Sequence, residues 1–164
     1  MGSMHTGLEE TGDWNRVAEF YAARARGGVG LIVTGGMAPN REGGVFPGAA
    51  GLFTDKDRAN QRIVTDRVHE AGGRIAMQIL HAGRYAYSKD CVSASALKSP
   101  ISPFPPRELD EEGIEKQIAD IATAAARAAV LSAMVATAPG SGPMKVSPAS
   151  ITAWAKAAFS LRKP

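Results

Sequence analysis

Residues Ile75–Leu80 form an apolar run with a single polar side chain, Gln78, inside it. Glycines lie before the run and shortly after it, and such a run is typical of a strand buried on both faces of a parallel sheet. A buried glutamine amide needs hydrogen-bond partners, and His81 and Arg84 follow directly in a glycine-containing loop. Because α/β proteins place ligand sites at the carboxyl ends of parallel strands, we predict a functional site at this strand end.

Apolar periodicity and capping residues predict one further strand and three helices, in the order helix, strand, helix, strand, helix. The further strand is Val29–Thr34, and Gly35 and Gly36 are expected to end it. The helices run from Trp14 to about Arg26, from Asp55 or Asp57 to about Ala71, and onward from the capping residue Asp110. Their predicted apolar faces comprise Val17, Phe20, Tyr21 and Arg24 in the first helix, Ile63, Val64 and Val68 in the second, and Ile114, Ile118 and Ile121 in the third.

Long loops follow the strands, whereas short connections join each helix to the next strand. The first long loop, Met37–Thr54, contains four glycines, and the second, Ala82–Glu108, contains four prolines. This asymmetry is typical of a (β/α) barrel, whose chemistry lies on the loops after its strands. An open doubly wound sheet shares the alternation, but the chain has neither Gly-x-Gly-x-x-Gly after a strand nor a Walker sequence. We predict an α/β fold, a partial (β/α)8 TIM barrel of about three βα units with an atypical C-terminal tail.

Charge is distributed unevenly along the chain. All 16 acidic residues lie at or before Asp120, while residues 121–164 carry five basic residues and no acid. No basic patch is interleaved with aromatic residues, so we expect no nucleic-acid partner. No apolar run approaches the roughly 20 residues of a membrane helix, and three histidines with one cysteine show no metal-ligand spacing. We therefore expect a cytoplasmic protein without a membrane segment or a metal site.

Four segments resemble the Old Yellow Enzyme family of NADH:flavin oxidoreductases, and most closely the barrel domain of its NADPH-dependent 2,4-dienoyl-CoA reductase branch. They are Met1–Glu10, Phe20–Arg26, Leu31–Gly36 and Gln78–Arg84. The resemblance is collinear and covers roughly residues 1–127, so it implies a truncated family member. It further implies an FMN-binding barrel in which hydride passes from NAD(P)H through the flavin to an activated alkene such as a 2,4-dienoyl thioester.

The resemblance also implies where FMN would bind. Ser3 and Met4 match the end of the first barrel strand, whose backbone groups meet the flavin edge. Gly36 matches the small residue against which the flavin lies, and Gln78 matches the glutamine whose amide binds the pyrimidine edge. Structural explanations remain open at each position: a frayed terminus for Ser3 and Met4, a simple turn for Gly36, and a structural amide for Gln78.

His81 and Arg84 are candidate site-lining residues, because a cation beside the flavin would stabilise its reduced form. The catalytic residue is unknown, since the proton-donor tyrosine of this family branch has no counterpart here. The flavin phosphate site is missing in the same way. Cys91 alone cannot hold an iron–sulfur cluster, which needs four thiolates. FMN is therefore the predicted cofactor with NAD(P)H as reductant, and the iron–sulfur cluster and FAD of longer relatives are not supported.

The resemblance and the acidic residues stop at nearly the same place, which predicts a boundary near residue 130. Residues 1–130 would form the partial FMN-binding barrel, and residues 131–164 a non-matching, acid-free tail. A shifted reading frame would explain why the resemblance and the acidic residues end together. A divergent or disordered tail is the alternative. Residues 139–148 are expected to be irregular, and residues 151–160 to form at most a weak helix.

Two function classes remain open, so whether the chain is an enzyme is uncertain at this stage. In the first, it is an FMN-dependent oxidoreductase that acts on a small-molecule substrate. In the second, it is a catalytically inactive remnant or an interaction fragment, which the missing proton donor and phosphate site favour. Unpaired barrel strands would expose backbone groups at their edges, and self-association through those edges is expected in either case.

Overall fold

The structure is a computed structural model that describes residues 1–132, so the predictions for the tail lie outside the described residues. Helices and strands alternate in the predicted order. The elements are α1 (Trp14–Arg26), β1 (Ile32–Met37), α2 (Asp55–Glu70), β2 (Ile75–Ile79), β3 (Val92–Ser93), β4 (Arg107–Glu108) and α3 (Glu111–Ser132). None of the helices within this range combines the length and apolar character that a membrane crossing requires.

Each helix begins at a side chain that accepts hydrogen bonds from free backbone N–H groups. The Asp13 carboxylate accepts from Arg16 N at 3.1 Å, which starts α1 where it was predicted. Thr54 and Asp57 form a reciprocal capping box that starts α2. Asp110 Oδ1 accepts from Gly113 N at 2.8 Å, which confirms the predicted cap of α3.

The two longer strands form a parallel pair that a third segment extends. Ile32 in β1 is the register partner of Ile75 in β2, and the register shifts between Val33 and Gly36. On the other edge of β1, Met1 N donates to Leu31 O at 2.6 Å and Val33 N donates to Met1 O at 3.0 Å. The spatial order is therefore amino-terminal segment, β1, β2, which is the order of consecutive strands in a barrel.

Helices α1 and α2 bury one face of this sheet. Their shared core contains Tyr21, Ile32, Val64 and Val68, none of which is more than 1% exposed. Burial of one such aliphatic side chain contributes about 1.5–3 kcal/mol. Gly73 makes the close turn into β2 possible, because a Cβ there would lie 2.5 Å from Ala25 Cβ.

The predicted bounds of the first strand were wrong. The strand begins at Ile32 and ends at Met37, rather than spanning Val29–Thr34, and Gly35 and Gly36 lie inside it. Two contacts explain the difference. Val29 N donates to Arg24 O in the last turn of α1, so Val29 belongs to the end of the helix rather than to the strand. Gly35 and Gly36 lie inside the strand where other segments pack closely against it, with Met4 and His5 beside Gly35 and Leu80 beside Gly36.

The prediction that the Gln78 strand is buried on both faces was also wrong. In β2, Ala76 is exposed and the other residues are half-buried, because the described residues that pack against this strand cover neither of its faces completely. In α2, Gln61 replaces Ile63 on the buried face, and Ile63 is 38% exposed. The proline-rich loop contains no α-helix or long strand, as predicted, but it includes a short 3₁₀ helix at Gly83–Tyr85 and the unpredicted pair β3 and β4.

Candidate functional site

Ser3, Gly36 and Gln78 come together at the carboxyl end of the sheet, although they belong to three different segments. Gly36 is the register partner of Gln78 across the parallel pair. Ser3 Oγ donates to Gln78 Oε1 at 2.5 Å. The backbone N–H of Gln78 donates to Thr34 Oγ1 at 3.1 Å, which fixes the strand end beneath the amide. Three of the candidate residues named from the sequence therefore form one group.

The Gln78 amide has unused hydrogen-bonding capacity. Its Oε1 accepts from Ser3, whereas its Nε2 makes no hydrogen bond to any of residues 1–132. Gln78 is half-buried, so its amide is held by the protein and still reachable from outside. A planar ligand edge that alternates carbonyl and N–H groups is complementary to such an amide. The unused Nε2 donor of Gln78 therefore fits the pyrimidine edge of FMN.

Packing inside the protein explains why position 36 is a glycine. A Cβ at Gly36 would collide with the Leu80 side chain, including its Cβ at 2.6 Å. Residues two apart on a strand share a face, so Leu80 lies on the same side of the chain as Gln78. Packing against Leu80 therefore accounts for this glycine without a ligand.

Met4 lies against Gly35, the other glycine inside β1. A Cβ at Gly35 would lie 2.9 Å from the Met4 carbonyl oxygen and 3.2 Å from His5 Cα. The Met4 side chain itself is 49% exposed. Gly35 thus allows the amino-terminal backbone to lie close to β1, and this proximity carries Ser3 to Gln78.

His81 faces α3, and both of its ring nitrogens have protein partners. Nδ1 accepts from Gly83 N at 3.1 Å, and Nε2 lies 3.1 Å from Gln117 Oε1. Burial lowers the pKa of His81 below its usual 6.5, although the hydrogen bond to Gln117 and the Glu42 charge oppose this effect. Burial therefore favours the neutral form of the His81 ring.

Arg84 lies in a single 3₁₀ turn, Gly83–Tyr85, just beyond β2. Its Nη2 donates to Tyr85 Oη at 3.2 Å, and its guanidinium carbon lies 5.2 Å from the centre of the Tyr85 ring. The structure thus places Arg84 next to its neighbour in sequence and not in contact with Gln78.

A polar network behind His81 was not predicted. Gln117, which is 1% exposed, accepts from Asn40 Nδ2 at 2.6 Å and donates to Glu42 Oε2 at 2.5 Å. Burial alone would raise the pKa of Glu42, but hydrogen bonds from Lys116 and Gln117 outweigh it and hold the pKa below 4.5. Gln117 lies between Ile114 and Ile121 on the predicted apolar face of α3, and a polar residue at that position was a usable signal. The sequence offered no comparable signal for Asn40, which lies in the glycine-rich loop after β1.

A cavity of about 340 Å³ lies between the loops that follow β1 and β2. Arg41, Phe46, Phe53 and Asp90 are among the residues that line it. None of the candidate residues predicted from the sequence lines this cavity. It is therefore separate from the Ser3–Gln78 pair.

The sequence of residues 1–133 matches the NADH:flavin oxidoreductase / NADH oxidase family. A metal reductase from Desulforamulus reducens is 38% identical over 133 residues, which are 78% of this chain and 20% of the relative. An NADPH dehydrogenase from Bacillus subtilis is 32% identical over 109 residues, 66% of this chain and 32% of the relative. The chain thus spans a third or less of either relative's length.

Solved structures show the same likeness. A 2-naphthoyl-CoA reductase in complex with 2-naphthoyl-CoA superposes with a TM-score of 0.64 and 28% identity, covering 71% of this chain and 20% of the other. An Old Yellow Enzyme homologue from Zymomonas mobilis superposes with a TM-score of 0.62 and 29% identity, covering 73% of this chain and 36% of the other. These likenesses confirm the predicted partial (β/α)8 barrel.

Proposed function

Because the chain belongs to the NADH:flavin oxidoreductase / NADH oxidase family, we propose that it forms part of an FMN-dependent NAD(P)H oxidoreductase. The observation that carries this proposal is the Ser3–Gln78 pair, which presents a free amide donor at the carboxyl end of the strands. Barrel enzymes place their chemistry at that end. The proposal assigns ring contacts to Ser3, Met4, Gly36 and Gln78.

FMN, when bound, would accept a hydride from the reduced nicotinamide and pass it to an electron-poor acceptor. Gln78 would bind the pyrimidine edge through Nε2, the donor that the protein leaves unused. Ser3 would hold this amide in place through the hydrogen bond that its hydroxyl donates to Gln78 Oε1. Gly36 and Leu80 would form a flat apolar surface beside the amide.

We propose that several parts of the FMN site lie outside the residues that the structure describes. The proton donor and the flavin phosphate contacts are assigned by the resemblance to later barrel loops, outside residues 1–132. Division at residue 130 into a partial barrel and a tail is part of the same proposal. We also propose a cytoplasmic location, and self-association through the unpaired strand edges of the described sheet.

The proposed electron acceptor is an activated alkene conjugated to a thioester, such as a 2,4-dienoyl-CoA. A CoA thioester is proposed on two grounds: the resemblance to the dienoyl-CoA reductase branch predicted from the sequence, and the structural similarity to a reductase whose complex holds 2-naphthoyl-CoA. A metal ion is the second candidate acceptor, because a relative 38% identical to this chain is named a metal reductase.

Anaerobic reduction tests the proposed activity. The purified chain, mixed with FMN and NADPH or NADH, should bleach the visible flavin absorbance faster than protein-free FMN does. A dienoyl-CoA should then restore the absorbance faster than it does with protein-free reduced FMN, whereas a ferric salt would show that rate advantage if the second candidate is right. Bleaching no faster than that of free FMN would contradict the oxidoreductase proposal and favour a catalytically inactive interaction fragment.

A further inference from the structure

Gln117 joins three parts of the molecule through one side chain. Its Oε1 accepts from Asn40 Nδ2 at 2.6 Å and lies 3.1 Å from His81 Nε2, while its Nε2 donates to Glu42 Oε2 at 2.5 Å. Asn40 and Glu42 belong to the loop after β1, and His81 belongs to the turn after β2. Gln117 itself is buried in α3. One amide therefore connects both loops that leave the sheet at its carboxyl end.

The direction of every hydrogen bond in this network is determined by groups that can only donate or only accept. The Glu42 carboxylate can only accept, so Gln117 must present Nε2 to Glu42 and Oε1 to His81. The Gly83 backbone N–H can only donate, so His81 Nδ1 must be the acceptor. The His81 proton therefore lies on Nε2 and is donated to Gln117.

The His81 Nδ1 acceptor holds the turn that follows β2. Gly83 has φ +58°, and its N–H donates to this nitrogen at 3.1 Å at the start of the 3₁₀ turn that contains Arg84. Ala82 N donates to Gly43 O at 2.9 Å, which ties the same turn to the loop after β1. Gly43 leaves room for the imidazole, because a Cβ there would lie 2.8 Å from His81 Cδ2.

We propose that Gln117 is a positioning residue: by fixing His81 as the Nε2–H tautomer, it holds the turn after β2 in place beside Gln78. Its importance for FMN binding rests on the function proposed above. The hydrogen-bond partners of the Gln117 side chain are Asn40, His81 and Glu42 rather than Ser3 or Gln78, so it would act on the site through His81. Charged groups that influence the ring come from the loop after β1, as Glu42, and from α3, as Lys116 and Asp120.

Two substitutions of Gln117 test the proposal, with a matched control. Gln117→Leu removes the acceptor of His81, and Gln117→Glu keeps an acceptor but places a second carboxylate beside Glu42. Gln61→Leu is the control, since Gln61 is an equally buried glutamine on α2 whose Nε2 contacts Met37 Sδ at 3.4 Å. Nitrogen NMR of the His81 ring reports its tautomer and titration, and amide exchange at Gly83 reports the turn.

The wild-type ring should be the Nε2–H tautomer and should titrate below pH 6.5. Gln117→Glu should raise that titration midpoint, because an added negative charge favours the imidazolium. Gln117→Leu should accelerate exchange at Gly83 and weaken FMN binding roughly tenfold, as loss of an outer-shell partner does at metal sites. Gln61→Leu should leave the exchange rate at Gly83 unchanged.

An Nδ1–H tautomer in the wild type, or equal protection of Gly83 in the wild type and Gln117→Leu, would overturn the proposal. FMN affinity unaffected by Gln117→Leu would overturn it too. If Gln117→Leu does not fold, the wild-type tautomer and the Gln117→Glu titration decide the question. If the wild type binds no FMN, the proposed function fails, and the ring and amide measurements still judge the positioning role.

Discussion

Substitution of Gly35 by Ala tests how the amino-terminal segment reaches the candidate site. The new Cβ would lie 2.9 Å from Met4 O and 3.2 Å from His5 Cα, so the Met4–His5 backbone must move. If the segment stays in place, overpacking costs about 1–3 kcal/mol. If it detaches, the two backbone hydrogen bonds of Met1 are lost, at about 0.5–1.5 kcal/mol each. Both routes give a loss of about 2 kcal/mol in unfolding free energy.

Urea unfolding followed by circular dichroism measures this loss, and amide exchange at Val33 locates it. The Val33 N–H donates to Met1 O at 3.0 Å, so it should exchange faster once the segment moves. Gly30→Ala is the matched control, because Gly30 lies just before β1 and a Cβ there would meet nothing within 4 Å. Unchanged stability and unchanged Val33 protection in Gly35→Ala would refute the described path of the amino-terminal segment.

Two further predictions concern the core and the polar network. Val64→Ala should lower the free energy of unfolding by about 2 kcal/mol, because Val64 is 1% exposed. Ile63→Ala should lower it by less than about 1 kcal/mol, because Ile63 is 38% exposed. Equal losses in urea unfolding would contradict the assignment of the buried face of α2. The lowered pKa of Glu42 contributes stability that is present above pH 4.5 and is lost as pH falls through the lowered value. Acid unfolding of Glu42→Gln should lack this component, and an acid-unfolding curve of unchanged slope would show that Lys116 and Gln117 do not hold the carboxylate ionised.

Local sequence signals predicted the elements well where capping side chains determine them. Asp13 and Asp110 accept the hydrogen bonds expected of helix caps, and α1 has the predicted bounds. The predicted position of the first strand was wrong because Gly35 and Gly36 were interpreted as the end of the strand. Their role depends on Met4 and Leu80, which approach from distant parts of the sequence, and no local pattern contains that information.

The candidate site was predictable only in part, for a similar reason. The resemblance named Ser3 and Gln78, and their hydrogen bond places them together. Whether they bind FMN remains a prediction. Gln117 was missed because the buried face of α3 was predicted from its isoleucines alone, although a buried polar residue on that face requires partners. Those partners, Asn40 and Glu42, lie far away in sequence, so only the fold identifies them.

The central claim is that the Ser3–Gln78 pair binds a flavin. The most direct test is titration of FMN fluorescence with the purified wild-type chain, Gln78→Ala and the control Gln61→Ala, at fixed pH and salt. We predict saturable binding by the wild type and by Gln61→Ala, and weakening of at least roughly tenfold in Gln78→Ala, as expected when a hydrogen bond to a buried ligand edge is lost. Equal affinity of Gln78→Ala and the wild type, or no binding by any variant, would contradict the claim.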